Sequence, residues 1–221
     1  AIAQVTVVDN AFDPTHTLEQ GAQYKVTYLT NHTDAGTAYV LASGMGGNYT
    51  GRQLLDFEID KATGAIVTPS AVKVYDGTAL TAQGTISGVL DADQYTFKTT
   101  GEQTDPGVSR NTYDLTFKNP VKANNYAIDE SLGRLAVVSN DAKDFFVSDV
   151  VDYTYDGTEH KQAVTVRNRL RQELVEGVDY TLAYEGDLVN AGTVTIVIAG
   201  TGAYTGSITR TYDINPTQLM V

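Results

Sequence analysis

An internal repeat constrains this chain more than any other feature of its sequence. Residues 18–44, LEQGAQYKVTYLTNHTDAGTAYVLASG, align without a gap on residues 174–200, LVEGVDYTLAYEGDLVNAGTVTIVIAG. After one inserted residue the match continues, with GNYTG against GAYTG and then DFEI against TYDI. Because a plan that recurs within one chain is typical of tandem modules, we expect at least two modules with the same fold.

A more distant copy lies between these two. Its YDGT at 75–78 returns at 155–158, and its turn sequence QTDPG corresponds to HTDAG and LVNAG in the flanking copies. Each turn is followed by a strand-like segment and then by a tyrosine, at Tyr49, Tyr126 or Tyr204. The same landmarks in the same order predict a third, diverged module.

The landmarks set the expected boundaries. The modules span 1–61, 62–139 and 140–215, and 216–221 begins a linker to a further repeat. The joints near 61–64 and 139–144 are short and polar, so neighbouring modules should touch. Nothing like YTYDGT precedes residues 1–7, which correspond to HKQAVTV of the third copy. The first module should therefore lack its first strand and expose an unpaired strand edge near Val5–Val8.

Alternation of large apolar and polar residues marks the strands. It is clearest in three stretches: Tyr24, Val26 and Tyr28; Tyr180, Leu182 and Tyr184; Val194, Ile196 and Ile198. Asn190-Ala191-Gly192 and Asp105-Pro106-Gly107 have the residues of tight turns and predict β-hairpins. No stretch has a sustained helical period. The expected fold class is all-β, with three small β-sandwich, immunoglobulin-like or half-open barrel modules arranged end to end.

Charge and composition exclude several kinds of function. The net charge of −12 disfavours binding to nucleic-acid phosphates. The absence of cysteine excludes thiolate metal sites, cysteine nucleophiles and disulfides. No apolar run is long enough for a membrane helix, and no secretion signal opens the sequence. We expect no membrane insertion in this fragment and a targeting signal outside it.

The landmarks resemble two families of bacterial surface repeats. The first and third copies are similar to immunoglobulin-like surface repeats, through Tyr155-Asp156-Gly157, Leu174 to Tyr184, Asn190 to Thr193 and Gly200 to Gly206. The middle copy resembles the MBG-type modules of large adhesins, through YDGTAL (75–80), TGEQTDPG (100–107), NNY (124–126) and LGRLAV (132–137). The resemblance covers nearly the whole chain. It implies an extracellular location at the bacterial cell surface and a non-catalytic role.

Several motifs invite a chemical interpretation. The glycine-rich segments 44–51 and 200–206 look like phosphate loops, but a strand pattern follows them where such loops need a helix. Glu185 with Asp187, and Asp141 with Asp144, could bind calcium at a joint, although solvated loops explain them better. The histidines at 16, 32 and 160 have no paired spacing. We assign no catalytic, cofactor-binding or metal-binding residue, and no cofactor.

A covalent cross-link between a lysine and an asparagine side chain is a further possibility. Lysine-to-asparagine isopeptide bonds occur in similar surface domains, and Lys73 with Asn124 or Asn125 is the best pair here. Lys73 alternates with Val72 and Val74, which predicts that it faces solvent. The bond is therefore disfavoured.

The function favoured by these patterns is that of a stalk or spacer, and the chain is not expected to be an enzyme. The alternative is a ligand-binding adhesin that recognises a host or neighbouring-cell glycan or protein. An adhesin should carry an enlarged loop that its sister repeats lack, and only 10–17 and 101–110 approach this. The expected partners are adjacent repeats of the same protein and, for an adhesin, the host ligand.

Overall fold

The computed structural model describes residues 4–9 and 13–219, and these residues form an all-β fold, as the sequence predicts. The strands in chain order are β1 (Val8–Asp9), β2 (Asp13–Thr17), β3 (Tyr24–Tyr28), β4 (Gly36–Gly44), β5 (Arg52–Ile59), β6 (Ala62–Thr68), β7 (Ala71–Val74), β8 (Thr85–Ser87), β9 (Tyr95–Thr99), β10 (Gly107–Arg110), β11 (Tyr113–Phe117), β12 (Tyr126–Leu132), β13 (Arg134–Val138), β14 (Phe146–Val147), β15 (Tyr153–Thr154), β16 (Val166–Arg167), β17 (Tyr180–Glu185), β18 (Gly192–Gly200) and β19 (Ser207–Asn215). Short 3₁₀ helices cover Asp91–Asp93, Pro120–Asn125 and Ala142–Asp144.

The described chain divides into two compact units. Unit 1 contains the described residues up to 68 together with 83–100 and 112–132, and unit 2 contains 69–82, 101–111 and the described residues from 133 onward. The segment 62–139 therefore contributes to both units. The division of the chain into three modules stays a prediction.

The described residues of unit 1 form four sheets. An antiparallel sheet has the order β3-β4-β5, and β1 pairs with β2. A second three-stranded sheet has the order β12-β6-β8, in which β12 runs parallel to β6 and β8 runs antiparallel to it. Strands β9 and β11 form an antiparallel pair. The fully or nearly buried side chains of this unit include Leu18, Tyr24, Val40, Ile66 and Phe117.

Unit 2 has the larger continuous core. Its four-stranded sheet has the order β15-β19-β18-β17, beside a β10-β13-β7 sheet and the short β14-β16 pair. The alternating residues Val194, Ile196 and Ile198 of β18 have no exposed surface. Burying each such side chain contributes about 1.5–3 kcal/mol, so β18 is the centre of this core.

The two flanking copies have the same local structure. In the first, the amide of Leu18 donates to the carbonyl of Val7 at 2.8 Å, and in the third Leu174 donates to Val166 at 2.9 Å. The hairpins predicted at the HTDAG and LVNAG turns are present, because β3 pairs with β4 and β17 with β18.

The hairpin predicted at Asp105-Pro106-Gly107 is wrong. Strand β9 pairs with β11, whereas β10, which begins at Gly107, pairs with β13. The backbone of Gln103 pairs with that of Leu80 instead. Turn residues specify a local reversal, but the strands that flank a turn pair wherever their apolar faces are buried.

Candidate functional site

The hydroxyl of each landmark tyrosine is hydrogen-bonded to an aspartate or asparagine side chain, as donor in the first two copies and as acceptor in the third. The hydroxyl of Tyr49 donates to Asp9 Oδ2 at 2.9 Å, and the hydroxyl of Tyr126 donates to Asp93. In the third copy, Asn168 Nδ2 donates to the hydroxyl of Tyr204 at 3.0 Å. Burial raises the pKa of Tyr126, whereas at Tyr49 the bond to Asp9 is the first cause of a raised pKa. The raised pKa values favour the neutral form of the Tyr49 and Tyr126 phenols.

Asp9 and Asn168 were missed by the sequence reasoning. Each lies two residues after a VTV sequence, in VTVVD at 5–9 and VTVRN at 164–168. This shared position is the sequence signal that could have identified them as equivalent residues. Asn168 is almost completely buried, and its Oδ1 also accepts the amides of Leu170 at 2.9 Å and Gln172 at 3.1 Å.

The glycine-rich segments are turns between strands. The amide of Gly44 donates to Gly51 at 3.1 Å, and the amide of Gly200 donates to Gly206 at 3.0 Å. Strands β5 and β19 follow them, as predicted. No helix N-terminus follows either turn in the described chain, so the geometry that cradles a phosphate is not formed there.

The repeated YDGT sequence is a second type of turn. Asp76 Oδ1 accepts the amide of Thr78 at 2.9 Å, and Asp156 Oδ1 accepts that of Thr158 at 2.8 Å. In the first of these turns, Lys73 Nζ donates to Asp76 Oδ1 at 2.6 Å and to the carbonyl of Thr78 at 2.6 Å. Lys73 therefore closes its own turn. Asn125, one of its suggested isopeptide partners, belongs to unit 1 and makes other bonds, described below.

The calcium candidates are engaged in local contacts. Asp141 pairs with Lys143 at 2.8 Å, and Asp144 pairs with Arg169 at 2.9 Å. The Asp187 carboxylate accepts the side-chain amide of Asn190, which is the first cause of its lowered pKa of about 2. Within residues 4–9 and 13–219, no group of three or more histidine, cysteine, aspartate or glutamate side chains could hold a metal ion.

The histidines lie apart from one another. His16 is exposed on β2, and His32 stacks on the Tyr28 ring at a centroid distance of 4.5 Å. His160 stacks on Tyr153 at 4.6 Å, with its Nε2 3.1 Å from Asp156 Oδ1. Each contact is between neighbours in sequence, and nothing brings the three residues together.

A polar cluster ties the first copy to the middle one within unit 1. Lys122 Nζ lies 2.5 Å from Asp34 Oδ1, and Asn125 Nδ2 donates to the same oxygen at 2.7 Å. Asn125 Oδ1 accepts the amide of Ala35 at 2.8 Å. Hydrogen bonding by Lys122, and then by Asn125, lowers the pKa of Asp34 to about 2. We call Asp34, Lys122 and Asn125 the first joint.

Unit 2 contains a corresponding contact between the segment that follows β13 and the third copy. Asn140 Nδ2 donates to the carbonyl of Ala203 at 2.8 Å, and the amide of Ala142 donates to that of Thr205 at 2.7 Å. Asp141 and Thr205 form a parallel β-bridge. We call residues 140–142 with 203–205 the second joint. Both joints use a turn of a flanking copy. Asn125 of the first joint precedes Tyr126, which lies opposite Ala62, and residues 140–142 of the second joint lie within the segment 139–144.

The strands by which the chain enters and leaves the middle copy run parallel to each other, and so do the strands by which it enters and leaves the four-stranded sheet of the third copy. In the middle copy, β6 pairs with β12 over seven residue pairs and β7 pairs with β13 over four. Tyr126 lies opposite Ala62 in the first ladder, and Leu135 lies opposite Ala71 in the second. Paired residues are therefore the same number of positions apart in sequence in both ladders. In the third copy, β15 pairs with the end of β19, with Tyr153 opposite Ile214. This parallel arrangement was not anticipated from the sequence.

An adhesin would need an enlarged loop, and the two candidate loops are residues 10–17 and 101–110. Residues 10–12 lie outside the described part of the chain, and residues 13–17 form β2. In the other loop, residues 107–110 form β10. Four of the ten residues of that loop are therefore part of a sheet.

Comparisons with known proteins give a limited result. No family model matches the chain, and no curated protein matches it. Among solved structures, it is similar to protocadherin gamma B7 extracellular cadherin domains 1–4, with 10% identity and a TM-score of 0.26, covering 89% of this chain and 65% of that one. Domains 4–9 of the surface layer protein SbsC give 11% identity and a TM-score of 0.26, covering 96% of this chain and 42% of that one. The protocadherin gamma B4 extracellular domain gives 10% identity and a TM-score of 0.22, covering 90% of this chain and 44% of that one.

The chain thus spans less than two thirds of the length of each of these structures. At such scores the likeness carries no argument about function. Among the described residues, no helix has both the length and the apolar character needed to cross a membrane.

Proposed function

We propose that this chain is a non-catalytic repeat region of an extracellular bacterial cell-surface protein, where it acts as a spacer that bears tension. The observation that carries the proposal is the parallel pairing of entry and exit strands in the middle and third copies. The ordered surface-repeat landmarks in the sequence support the extracellular, bacterial part of it.

Parallel pairing matters because of where force is applied. When a chain is pulled from both ends, an entry strand is drawn by its N-terminal end and an exit strand by its C-terminal end. In a parallel pair these two ends lie at opposite ends of the ladder. The strands must then slide past each other, so all the hydrogen bonds between them resist together. In an antiparallel pair the same pull opens the ladder one bond at a time.

The middle copy has the longest such ladder. Seven pairs join β6 to β12, and Ile66, in the middle of β6, is fully buried. Sliding the strands would expose this side chain as well as break hydrogen bonds. Because forced unfolding is governed by the unfolding barrier, this ladder should set the mechanical resistance of the middle copy.

The joints add to the spacer role. Lys122 and Asp34 have side chains that are 30% and 22% exposed, and such a pair alone contributes little stability. Three bonds to one turn, however, fix its orientation more firmly than one ion pair could. A spacer benefits from such restraint because flexible joints would shorten its reach.

The experiment compares two pulling directions on the same ladder. The absence of cysteine allows handles to be attached at introduced cysteines alone. Handles at Asp60→Cys and Ser131→Cys pull β6 and β12 from opposite ends. Handles at Asp60→Cys and Asn124→Cys pull both strands from the same end, since Tyr126 lies opposite Ala62. Single-molecule force spectroscopy should give a clearly higher rupture force for the first pair.

Equal rupture forces in the two directions would contradict the tension-bearing role. Specific binding of the whole chain on a glycan array would favour the adhesin alternative. Circular dichroism of the two double-cysteine variants, before handles are attached, provides the control for folding.

A further inference from the structure

The first and third copies differ at one edge of their main sheets. In the third copy the edge of β19 is covered by β15, giving the order β15-β19-β18-β17. In the first copy the corresponding sheet has the order β3-β4-β5, and β5 is its edge strand in the described part of the chain. By the alignment of DFEI with TYDI, β5 is the counterpart of β19.

Burial follows this difference. In β19, Tyr212 and Ile214 are 2% and 1% exposed. Their counterparts in β5, Phe57 and Ile59, are only half-buried, and Leu55 is 37% exposed. The first copy therefore has apolar residues at the positions that are buried in the third copy, but no strand in the described part of the chain pairs with β5 to bury them.

The third copy also shows which backbone groups a covering strand uses. The amide of Asp213 donates to the Asp152 carboxylate at 2.8 Å, and the amide of Tyr155 donates to the carbonyl of Asn215 at 2.8 Å. The alignment places the amide of Glu58 and the carbonyl of Asp60 at these positions in the first copy.

An open groove accompanies the uncovered face of the first copy. It has a volume of about 660 Å³ and is lined by residues that include Val5, Val7, Leu18, Tyr24 and Leu55. The third-copy counterparts of the two valines, Val164 and Val166, are buried at 9% and 0% exposure. The first copy is thus incompletely packed in two places: along the edge of β5, and in the groove beside Val5 and Val7.

From this comparison we infer that the edge of β5 is a docking site for an extended strand of the Asp152–Thr158 type, the strand by which a repeat of the same kind enters its main sheet. The strand binds parallel to β5, as β15 binds to β19. Its first tyrosine packs on Phe57, just as Tyr153 packs edge-to-face on Tyr212 at 5.7 Å. Unpaired strand edges recruit another backbone through main-chain hydrogen bonds, and alternate side chains give specificity.

A second copy of β5 is the competing occupant, and it would bring three carboxylates to the edge where the Asp152–Thr158 strand brings two, on Asp152 and Asp156. Strand β5 and the residue after it carry three carboxylates, on Asp56, Glu58 and Asp60, against one arginine. Two identical edges would bring these carboxylates together. Like charges directly opposite each other destabilise a strand pair.

The test is covalent capture in a defined register. Thr154 lies opposite Asn215 in the third copy, and Asp60 is the counterpart of Asn215. The chain carrying Asp60→Cys is incubated in a glutathione redox buffer with a synthetic peptide of residues 150–159 in which Thr154 is replaced by cysteine. The chain carrying Arg52→Cys is the matched control, because its thiol lies at the other end of β5. A peptide of scrambled order is the second control.

We expect at least about tenfold more mixed disulfide with Asp60→Cys than with Arg52→Cys, since docking raises the effective thiol concentration at one position only. The scrambled peptide should form no more mixed disulfide with the Asp60→Cys chain than the peptide of native order forms with the Arg52→Cys chain. Equal capture at both positions, or equal capture of the scrambled peptide, overturns the inference. Disulfide-linked chain dimers that the peptide does not displace also overturn it, because the edge then takes a second copy. The result does not depend on the spacer function, which concerns other strands.

Discussion

Replacing Asn168 with alanine gives the most direct test of how the third copy is held together. Asn168 is 1% exposed, and its side chain makes four hydrogen bonds. Two of them satisfy the backbone amides of Leu170 and Gln172, and a third reaches the buried Tyr204. The loop so formed contains Arg171 at a positive φ of 63°, a conformation that is costly for arginine.

The magnitude can be worked out from these partners. The two amides lie in a partly exposed loop, so water can replace part of each hydrogen bond that they lose. Loss of each bond should therefore lower the unfolding free energy by about 0.5–1 kcal/mol. The Tyr204 hydroxyl is more deeply placed, and leaving a buried polar group without its partner costs about 1–3 kcal/mol. Asn168→Ala should therefore lower the free energy of unfolding of the third copy by roughly 2–5 kcal/mol.

Two controls isolate the cause. Tyr204→Phe removes only the hydroxyl and should cost about 1 kcal/mol. Asp9→Ala removes the counterpart in the first copy, which bonds the half-buried Tyr49, and should cost less than Asn168→Ala. A double-mutant cycle between positions 168 and 204 should give a coupling energy of about 1 kcal/mol.

The assay is hydrogen exchange of β18 and β19 amides as a function of urea, because it reports on the third copy alone. If Asn168→Ala changes the unfolding free energy by less than about 0.5 kcal/mol, the network is not structural. If Asp9→Ala lowers the unfolding free energy of the first copy as much as Asn168→Ala lowers that of the third, the difference in burial does not determine the size of the loss.

Two further predictions concern unit 1. Gly88→Ala should destabilise it by about 1–3 kcal/mol more than Gly51→Ala: both glycines have positive φ, but a Cβ at Gly88 would lie 2.3 Å from the Thr63 carbonyl oxygen while one at Gly51 meets nothing within 4 Å. Equal losses in urea unfolding would show that the close approach at Gly88 is not real. The stability contributed by Asp34 should be fully present above about pH 4 and lost as the pH falls toward 2, because its pKa is lowered from 3.8 to about 2. Lys122→Met removes the first cause of that shift, so it should flatten the acid dependence of the urea midpoint; an unchanged dependence would assign it to other carboxylates.

The fold class could be predicted because its signals are local. Alternation in Val194, Ile196 and Ile198 places three large side chains on one face, and all three are fully buried. The alignment of the first copy on the third likewise predicted the two hairpins, since each repeats turn residues and strand pattern together. Local sequence is enough where a strand pairs with its neighbour along the chain.

Pairing between distant strands was decided by the tertiary structure. The turn at Asp105-Pro106-Gly107 looks like that of any hairpin, yet β10 pairs with β13, more than twenty residues away. The parallel pairing of β6 with β12 left no mark in the sequence either. Both outcomes depend on which apolar faces can be buried together, a property of the whole unit and not of any one segment.

The candidate sites divide in the same way. Sequence alone determined the recurring residues and several of the strands and turns, because these follow from comparing residues at equivalent positions. It also predicted an unpaired edge in the first copy, but near Val5–Val8, where β1 pairs with β2, and not at β5. Only the tertiary structure decided that Asp34 meets Lys122 and Asn125, that Asp9 and Asn168 hold the landmark tyrosines, and that entry and exit strands run parallel. Those contacts join residues far apart in the chain, and sequence spacing carries no information about such distances until the core has brought them together.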